Sequence, residues 1–359
     1  MNLTLLQPGE GNIPGRHLLT STPETVSWGW LPNEKSTPCL TVASGETVTI
    51  DTLSHEGILD DQGRDPVEFL GRYGVEAADV LHDARAIAAS TIPNESDDGP
   101  HVVTGPIEIA GAEPGDVLKI DVLELLPRTP YGFVSSRHGY GALPGELPEG
   151  AQSVFQFCRV GTSGARMVSW MAATDGRQAC FPLDPFLGLM GVAPATSEPV
   201  HSVPPGDFGG NIDVKWAQVG SSLYLPVTVP GALFYTGDPH YAQGNGEVAL
   251  TALEASLRAT LRLTVLTGAE ANTAMGSLRN PLLETPGYWI PTGMDEDLSE
   301  AMKKCVRHAL TFLVERFGFD RPTAMAYLSA AGDFEVSQVV DATKGVHCMI
   351  RKADFAQWY

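Results

Sequence analysis

A mainly β fold with α/β additions is expected from this sequence: a β-sandwich, jelly-roll-like core followed by a C-terminal lobe that carries helices. Three observations predict it. Short alternating apolar runs recur between turn signals through the first two thirds of the chain. The 27 prolines and 38 glycines interrupt the sequence too often for long helices before residue 245. From Asp295 onward the apolar period lengthens to that of an amphipathic helix.

Leu40 to Asp51 (LTVASGETVTID) reads as two strands about a Ser-Gly turn. Gly105 to Leu126 reads as a hairpin turning at Ala-Glu-Pro-Gly-Asp, and its imperfect alternation at Val117, Ile120 and Val122 points to partial cover on both faces. Ser221 to Thr236 and Thr260 to Leu266 read as further strands. Glu247 to Ala259 reads as a helix, with Val248, Ala252, Ala255 and Ala259 on a narrow apolar stripe and Asn245 as its cap. Asp295 to Phe317 is the clearest helix: three acids open it, Leu298, Met302, Cys305, Ala309 and Phe312 line one face, and Arg316 with Gly318 closes it. Pro322 suits the first position of a shorter helix through Ala330, and a strand from Val346 to Arg351 follows. The loop-rich stretch from Pro127 to Pro194 is the least legible. No repeat or low-complexity linker marks a boundary, so a single unit over 1–359 is expected, divisible at most into a mostly β lobe (1–200) and an α+β lobe (201–359).

The 359 residues suffice for a sizeable core, and the 43% hydrophobic and 18% charged fractions are those of a globular chain. A net charge of −20, from 43 acids against 23 basic residues, repels phosphate backbones and anionic lipid, so neither nucleic acid nor membrane is expected as a partner. The five cysteines are widely spaced without a C-x-x-C pair, which excludes a zinc ribbon and argues against a disulfide scaffold. No leader or membrane span is legible, and a cytoplasmic location is expected.

The chemistry-bearing stretch is Pro204 to Glu247. Gly209 and Gly210 let backbone amides approach a ligand, because no Cβ intervenes. Asn211 and Asp213 are two apart, as are Asp238 and His240, so each pair shares one face of an extended segment. Carboxylates with imidazole are the donor set of a hydrolytic metal site; the bland alternative is a D-x-H turn and a helix-opening Glu247. A second polar cluster, Asp51 to Gly57 with His55 and Glu56, then Asp60 and Asp61, follows a strand at a sheet rim. His101 is a third candidate, though a lone histidine before a strand is more often packed or surface.

The segments HVVTGPIEIAGAEPGDVLKI, GLMGVAPA, PPGDFGGNID, LYLPVTVPGALFYTGDPHYAQGNGEV and FEVSQVVDATKGVHCMI resemble the acetamidase/formamidase family, in order, from about residue 38 to 351. The resemblance implies hydrolysis of short amides to acid and ammonia, a mainly β sandwich fold, frequent homo-oligomers (dimers or higher) and a divalent metal in some members. It carries over Thr104, Gly105, Pro106, Gly209, Gly210, Asn211, Asp213, Asp238, His240, Gln243, Gly246 and Glu247. Phe208 stands where many members have histidine and Asn245 where they have aspartate, and SHEGILDDQGRDP departs from the commoner segment; these differences bear on the substrate.

The mechanism expected on these grounds has a divalent cation, zinc by preference, held by some of His55, Asp213, Asp238 and His240. Glu56 or Glu247 moves the proton, with His240 also in the catalytic set. Gly209, Gly210 and Asn211 bind the substrate and receive the oxyanion. Two rivals stand beside it. One is a covalent amidase, for which Cys305 is the best thiol although it falls on the apolar stripe of the long helix; the other is a small-molecule-binding module that has lost catalysis.

Overall fold

The computed structural model describes residues 3–358. Its apolar runs form two large sheets that face each other across one core. Nine strands make the first, in the order His17–Thr20, Glu46–Asp51, Leu257–Leu266, Val117–Pro127, Ser222–Pro226, Leu282–Glu284, Tyr288–Asp295, Lys344–Arg351 and Asp333–Gln338. In the second, eleven-stranded sheet, Phe234–Ala242 pairs with Phe186–Val192 along one edge; along the other it pairs first with Val102–Ala110 and then with Leu253–Glu254. Ile50, Ile120 and Leu261 from one sheet pack with Ile107, Phe186, Met190 and Phe234 from the other, all fully buried. The expected sandwich is present, and strands dominate as far as residue 266.

Both expected strand pairs exist, but neither folds back on itself. Leu40–Ala43 pairs in parallel with Val102–Ala110, whereas Glu46–Asp51 pairs with Leu257–Leu266. Val102–Ala110 and Val117–Pro127 likewise lie in different sheets, so the Ala-Glu-Pro-Gly-Asp turn carries the chain across the core instead of closing a hairpin. Alternation reports which side chains are buried, not which distant strand supplies the hydrogen bonds. The illegible stretch from Pro127 to Pro194 is also strand: Ser153–Ser163, Arg166–Ala172 and Gln178–Pro182 form an antiparallel arm on the edge of the second sheet.

One element is corrected. Glu247 to Ala259 is not a helix but a turn followed by Leu253–Glu254 and the start of Leu257–Leu266. Glu247 and Leu250 have φ of 46° and 120°, outside helical space, and the Asn245 side chain bonds Glu335 instead of capping. Pairing with Val117–Pro127 and Glu46–Asp51 outweighs the few tenths of a kcal/mol per residue that alanine's helix preference offers (about 0–0.7).

The long helix is Leu298–Phe317, capped by Asp297, which accepts from the amides of Ser299 (2.8 Å) and Glu300 (3.0 Å), and ended by Gly318 in the left-handed conformation. It buries Ala301, Cys305, Ala309 and Phe312, while Leu298 and Met302, expected on that face, are each 38% exposed. Arg321–Ala331 begins at an Asp320 cap with Pro322 in its first turn.

Beneath the first sheet lies a buried ionic network. Arg258 grips Asp51 with Nε (2.6 Å) and Nη2 (2.8 Å), and the Gly9 amide donates to the same carboxylate at 2.8 Å. Arg128 donates to Asp83 (2.7 Å) and to the Thr52 carbonyl (3.0 Å). Asp51 is thus a structural anion, not a site residue. Removing one partner leaves a guanidinium buried without its counter-charge. Asp51→Ala is therefore expected to lower the urea-unfolding free energy by about 3–5 kcal/mol; a loss below about 1 kcal/mol, the scale of an exposed pair, would contradict this role.

Candidate functional site

The site forms where the sheet pairing of Phe234–Ala242 changes hands. Thr236 still pairs with Thr104, but His240 pairs with Glu254; the first pairing is irregular between Phe234 and Thr236 and the second between His240 and Ala242. Asp238 sits between the two pairings with φ 49°, in the left-handed region that a non-glycine residue enters at a cost. On the other edge, Gly188 lies between the Leu187–Pro239 and Leu189–Gly237 pairs. A Cβ on Gly188 would fall 2.4 Å from Asp213 Oδ1, 2.5 Å from Asp238 Oδ2 and 2.7 Å from His240 Cε1, so only glycine lets these three side chains meet.

The remaining groups arrive from loops. Thr52 and Ser54 are tied to Leu257 and Ser256, which sets His55 and Glu56 at the end of Glu46–Asp51. His55 Nδ1 is 3.7 Å from Asp238 Oδ1, and His101 Nε2 is 3.8 Å from the same oxygen. Ser202 bonds the far nitrogen of His101 at 2.9 Å and fixes the ring. His240 Nε2 lies 2.8 Å from Asp238 Oδ2 and 3.0 Å from Glu254 Oε1, yet neither contact is aligned as a hydrogen bond. Gln243 Oε1 accepts from His240 Nδ1 at 3.1 Å, and its amide nitrogen donates to the Asp213 and Ser337 carbonyls. Glu247 enters through the Gly-Asn-Gly turn, held by the Val339 amide on the Gly246 carbonyl. Asp213 and Glu247 share the left-handed conformation of Asp238, at φ 47° and 46°.

Charge is distributed unevenly. Burial opposes ionisation of Asp238, but His240, His101 and His55 together hold its carboxyl below the usual range. Glu56 is also held low: His55 and Arg137 offset its burial, and Gln62 bonds it. Burial, then the neighbouring charge of Asp238, pushes Glu254 up to about 7; burial with Asp238 and Glu254 nearby does the same to Asp341. Asp213 and Glu247 are also pushed well up from the usual carboxylate range, by burial and then by Glu247 and Asp341 respectively. Burial drops His101 to about 4, leaving a neutral imidazole with a free lone pair.

His55 Nδ1, His240 Nε2, Asp238 Oδ1, Glu247 Oε2, Glu254 Oε2 and both Asp213 oxygens find no hydrogen-bond partner among the described residues. Such atoms are costly to bury unless something else binds them. They fall into three overlapping sets whose donor atoms lie within 4.8 Å of one another: His55, His101 and Asp238; Asp238, His240 and Glu254; Asp213, His240 and Glu247. This donor chemistry, imidazole nitrogen with carboxylate oxygen, fits a divalent metal cation.

His55, Glu56, Asp213, Asp238, His240 and Glu247, all singled out in the sequence, are thus gathered in one place. Asp60 and Asp61 stay outside, Asp61 pairing with Arg137 at 2.7 Å. Gly209–Asn211 lies against Leu189–Gly191. The Gly209 amide is engaged by the Gly206 carbonyl at 3.0 Å, which removes it as an oxyanion donor, and a Cβ there would meet the Met190 carbonyl at 2.4 Å. Asn211 Oδ1 is buried with no hydrogen-bond partner among the described residues. Sequence reasoning set His101 aside, and it missed Glu254, which lay within the expected helix, together with Asp341 and Gly188. The segments HVVTGPIEI, FEVSQVVDATKG and GLMGVAPA held the available signal for His101, Asp341 and Gly188.

A sequence profile of the Acetamidase/Formamidase family matches residues 84–198 and 195–351. A relative in Schizosaccharomyces pombe is 28% identical over 225 residues, 49% of this chain and 54% of its own length, so the chain spans about half of that protein. A formamidase of Methylophilus methylotrophus is 25% identical over 303 residues, covering 67% of this chain and 73% of that one. The crystal structure of an acetamidase from Yersinia enterocolitica superposes with a TM-score of 0.76 at 25% identity, over 98% of this chain and 96% of the other.

A methyl group at residue 188 has to displace Asp213, Asp238 or His240. A crystal structure of Gly188→Ala is expected to show at least one of the three side chains moved in an otherwise preserved sheet; all three in place would contradict the packing described.

Proposed function

Because the chain belongs to the Acetamidase/Formamidase family, we propose that it hydrolyses the C–N bond of a small linear amide to a carboxylic acid and ammonia in the cluster around Gly188. The observation that carries this is the set of buried, partnerless imidazole and carboxylate atoms on the strand Phe234–Ala242 and the loops around it. Surface turns do not accumulate such groups; hydrolytic sites do.

His55, His101 and Asp238 would hold a divalent cation, with His240 and Glu254 or Asp213 beside them. When bound, such a cation supplies a water of lowered pKa and polarises the amide carbonyl. The chain's own residues carry the protons. Glu247, whose carboxyl is pushed up by burial and by Asp341 beside it, takes the proton as water oxygen bonds to the carbonyl carbon. It then gives that proton to the departing nitrogen as the C–N bond breaks. Glu56, held ionised between His55, Arg137 and Gln62, suits a positioning role better than a proton shuttle. Gln243 orients His240.

Covalent catalysis has weaker support. Cys305 is fully buried, burial pushes its thiol up, and it lies 3.4 Å from the Pro291 carbonyl. Ser337 Oγ meets His347 Nδ1 at 2.7 Å and His347 Nε2 lies 3.3 Å from Glu335, but Ser337 is only 1% exposed, on the edge strand Asp333–Gln338 of the first sheet. A one-unit, homo-oligomeric enzyme of the cytoplasm completes this reading, with neither nucleic acid nor membrane as partner. No helix among the described residues is long and apolar enough to cross a membrane.

Ammonia release from formamide, acetamide and bulkier amides, with and without chelator, tests the reaction. Turnover supports it, and inactivity of metal-replete protein on every amide leaves a binding module. Asp238→Ala is expected to lose bound divalent cation by elemental analysis together with most activity. Glu247→Gln is expected to keep the cation while kcat falls about 10²–10⁴-fold, the usual worth of a general acid–base group. Full activity in protein stripped of metal would overturn the metal part. Alkylation of native protein is expected to modify exposed Cys39 and Cys180 while sparing Cys158, Cys305 and Cys348, with turnover retained.

A further inference from the structure

Glu247 and Gln243 do more than close the acid cluster: they also line a cavity of about 670 Å³. Its apolar wall residues come from several separate elements. Val134 belongs to Tyr131–Arg137, Met171 and Phe181 to the edge arm, Trp216 to the loop after Asp213, and Val248 to the turn after Glu247. Formamide and acetamide have three and four non-hydrogen atoms. The cavity would hold about twenty waters at about 30 Å³ each, so neither small amide could displace more than a fraction of them. A volume in this range is what encloses a ligand of many heavy atoms.

We propose that the cavity is an acyl-group subsite and that the preferred substrate is an uncharged amide bearing an apolar, ring-sized group. The ring lies among Val134, Met171, Phe181 and Trp216, and the amide reaches Glu247. This rests on the amide-hydrolase reading above and names its substrate class. Continuity with Glu247 identifies the occupant, because a group held here brings its polar end to the Glu247 carboxyl. The ionisable groups on the wall select for charge. Asp184 offsets Lys215, whose ammonium is 5.8 Å from the Trp216 ring, so the wall carries no net positive charge to attract a substrate with its own carboxylate.

The test compares kcat/KM for phenylacetamide, acetamide and formamide in the wild type, Trp216→Ala and Phe181→Ala. One extra apolar group in a fitted pocket discriminates about 10–200-fold. Phenylacetamide is therefore expected to exceed acetamide at least about tenfold, and each variant to lose most of that margin while acetamide turnover stays within about twofold. Equal or better turnover of acetamide overturns the subsite and leaves the amidase standing, as does an equal loss on both substrates in both variants. Should no amide be turned over, the amidase reading fails, and calorimetric binding decides the subsite by itself. Phenylacetamide binding at least about tenfold tighter than acetamide supports it, and equal affinities overturn it.

Discussion

Carboxylates taken out of water cannot all remain charged in one another's company. Two unit charges 4 Å apart repel by about 4 kcal/mol at an effective dielectric of 20. Glu56, Asp213, Asp238, Glu247, Glu254 and Asp341 are all buried around Gly188 or next to it, with the His55 and His240 imidazoles and the Arg137 guanidinium to balance them. The arrangement resolves the conflict by sorting them. Asp238 and Glu56, nearest the imidazoles, keep their charge, and the others are pushed upward. That sorting separates anions fit to hold a cation from a carboxyl fit to carry a proton.

Holding the sorted set costs backbone energy as well. Left-handed φ at Asp213, Asp238 and Glu247 is disfavoured by about 1–3 kcal/mol apiece. Such strain persists only where surrounding structure over-determines the chain, and here it does. Asp238 is clamped between two strands, the Asp213 amide donates to the Gly188 carbonyl at 3.1 Å, and the Gly246–Glu247 turn is bonded to the segment after Gln338. At the opposite edge, Arg258 and Arg128 pin the end of Glu46–Asp51, from which His55 departs.

Local chemistry made part of this legible in the sequence. The Asp297 cap, Gly318 and Pro322 announce the C-terminal helices through nearby residues alone, and the spacing of Asp238 and His240 announces one edge of the site. Glu254 was hidden because its alanine-rich neighbourhood favours helix, and only pairing with His240, fourteen residues back in the chain, turns it into a strand residue facing an imidazole. His101 looked solitary because its partners, Asp238 and Ser202, are more than a hundred residues away. Gly188 carries no chemistry of its own; its meaning is the side chains it leaves room for, which only the packed sheet reveals.

The interleaving of distant strands has a consequence for synthesis. Asp51 and Arg258 are separated by 207 positions, and the strand carrying Asp51 has Leu257–Leu266 as its antiparallel neighbour. At about 5–20 residues per second, a ribosome leaves that carboxylate and its apolar strand waiting about ten to forty seconds for their partners. The acid cluster waits longer, until Asp341 has cleared the exit tunnel. Nascent chains thus carry open sheet edges for as long as these partners are still to be made, dependent on whatever in the cell shields unpaired strands, and the fold closes almost as one event once the late strands emerge.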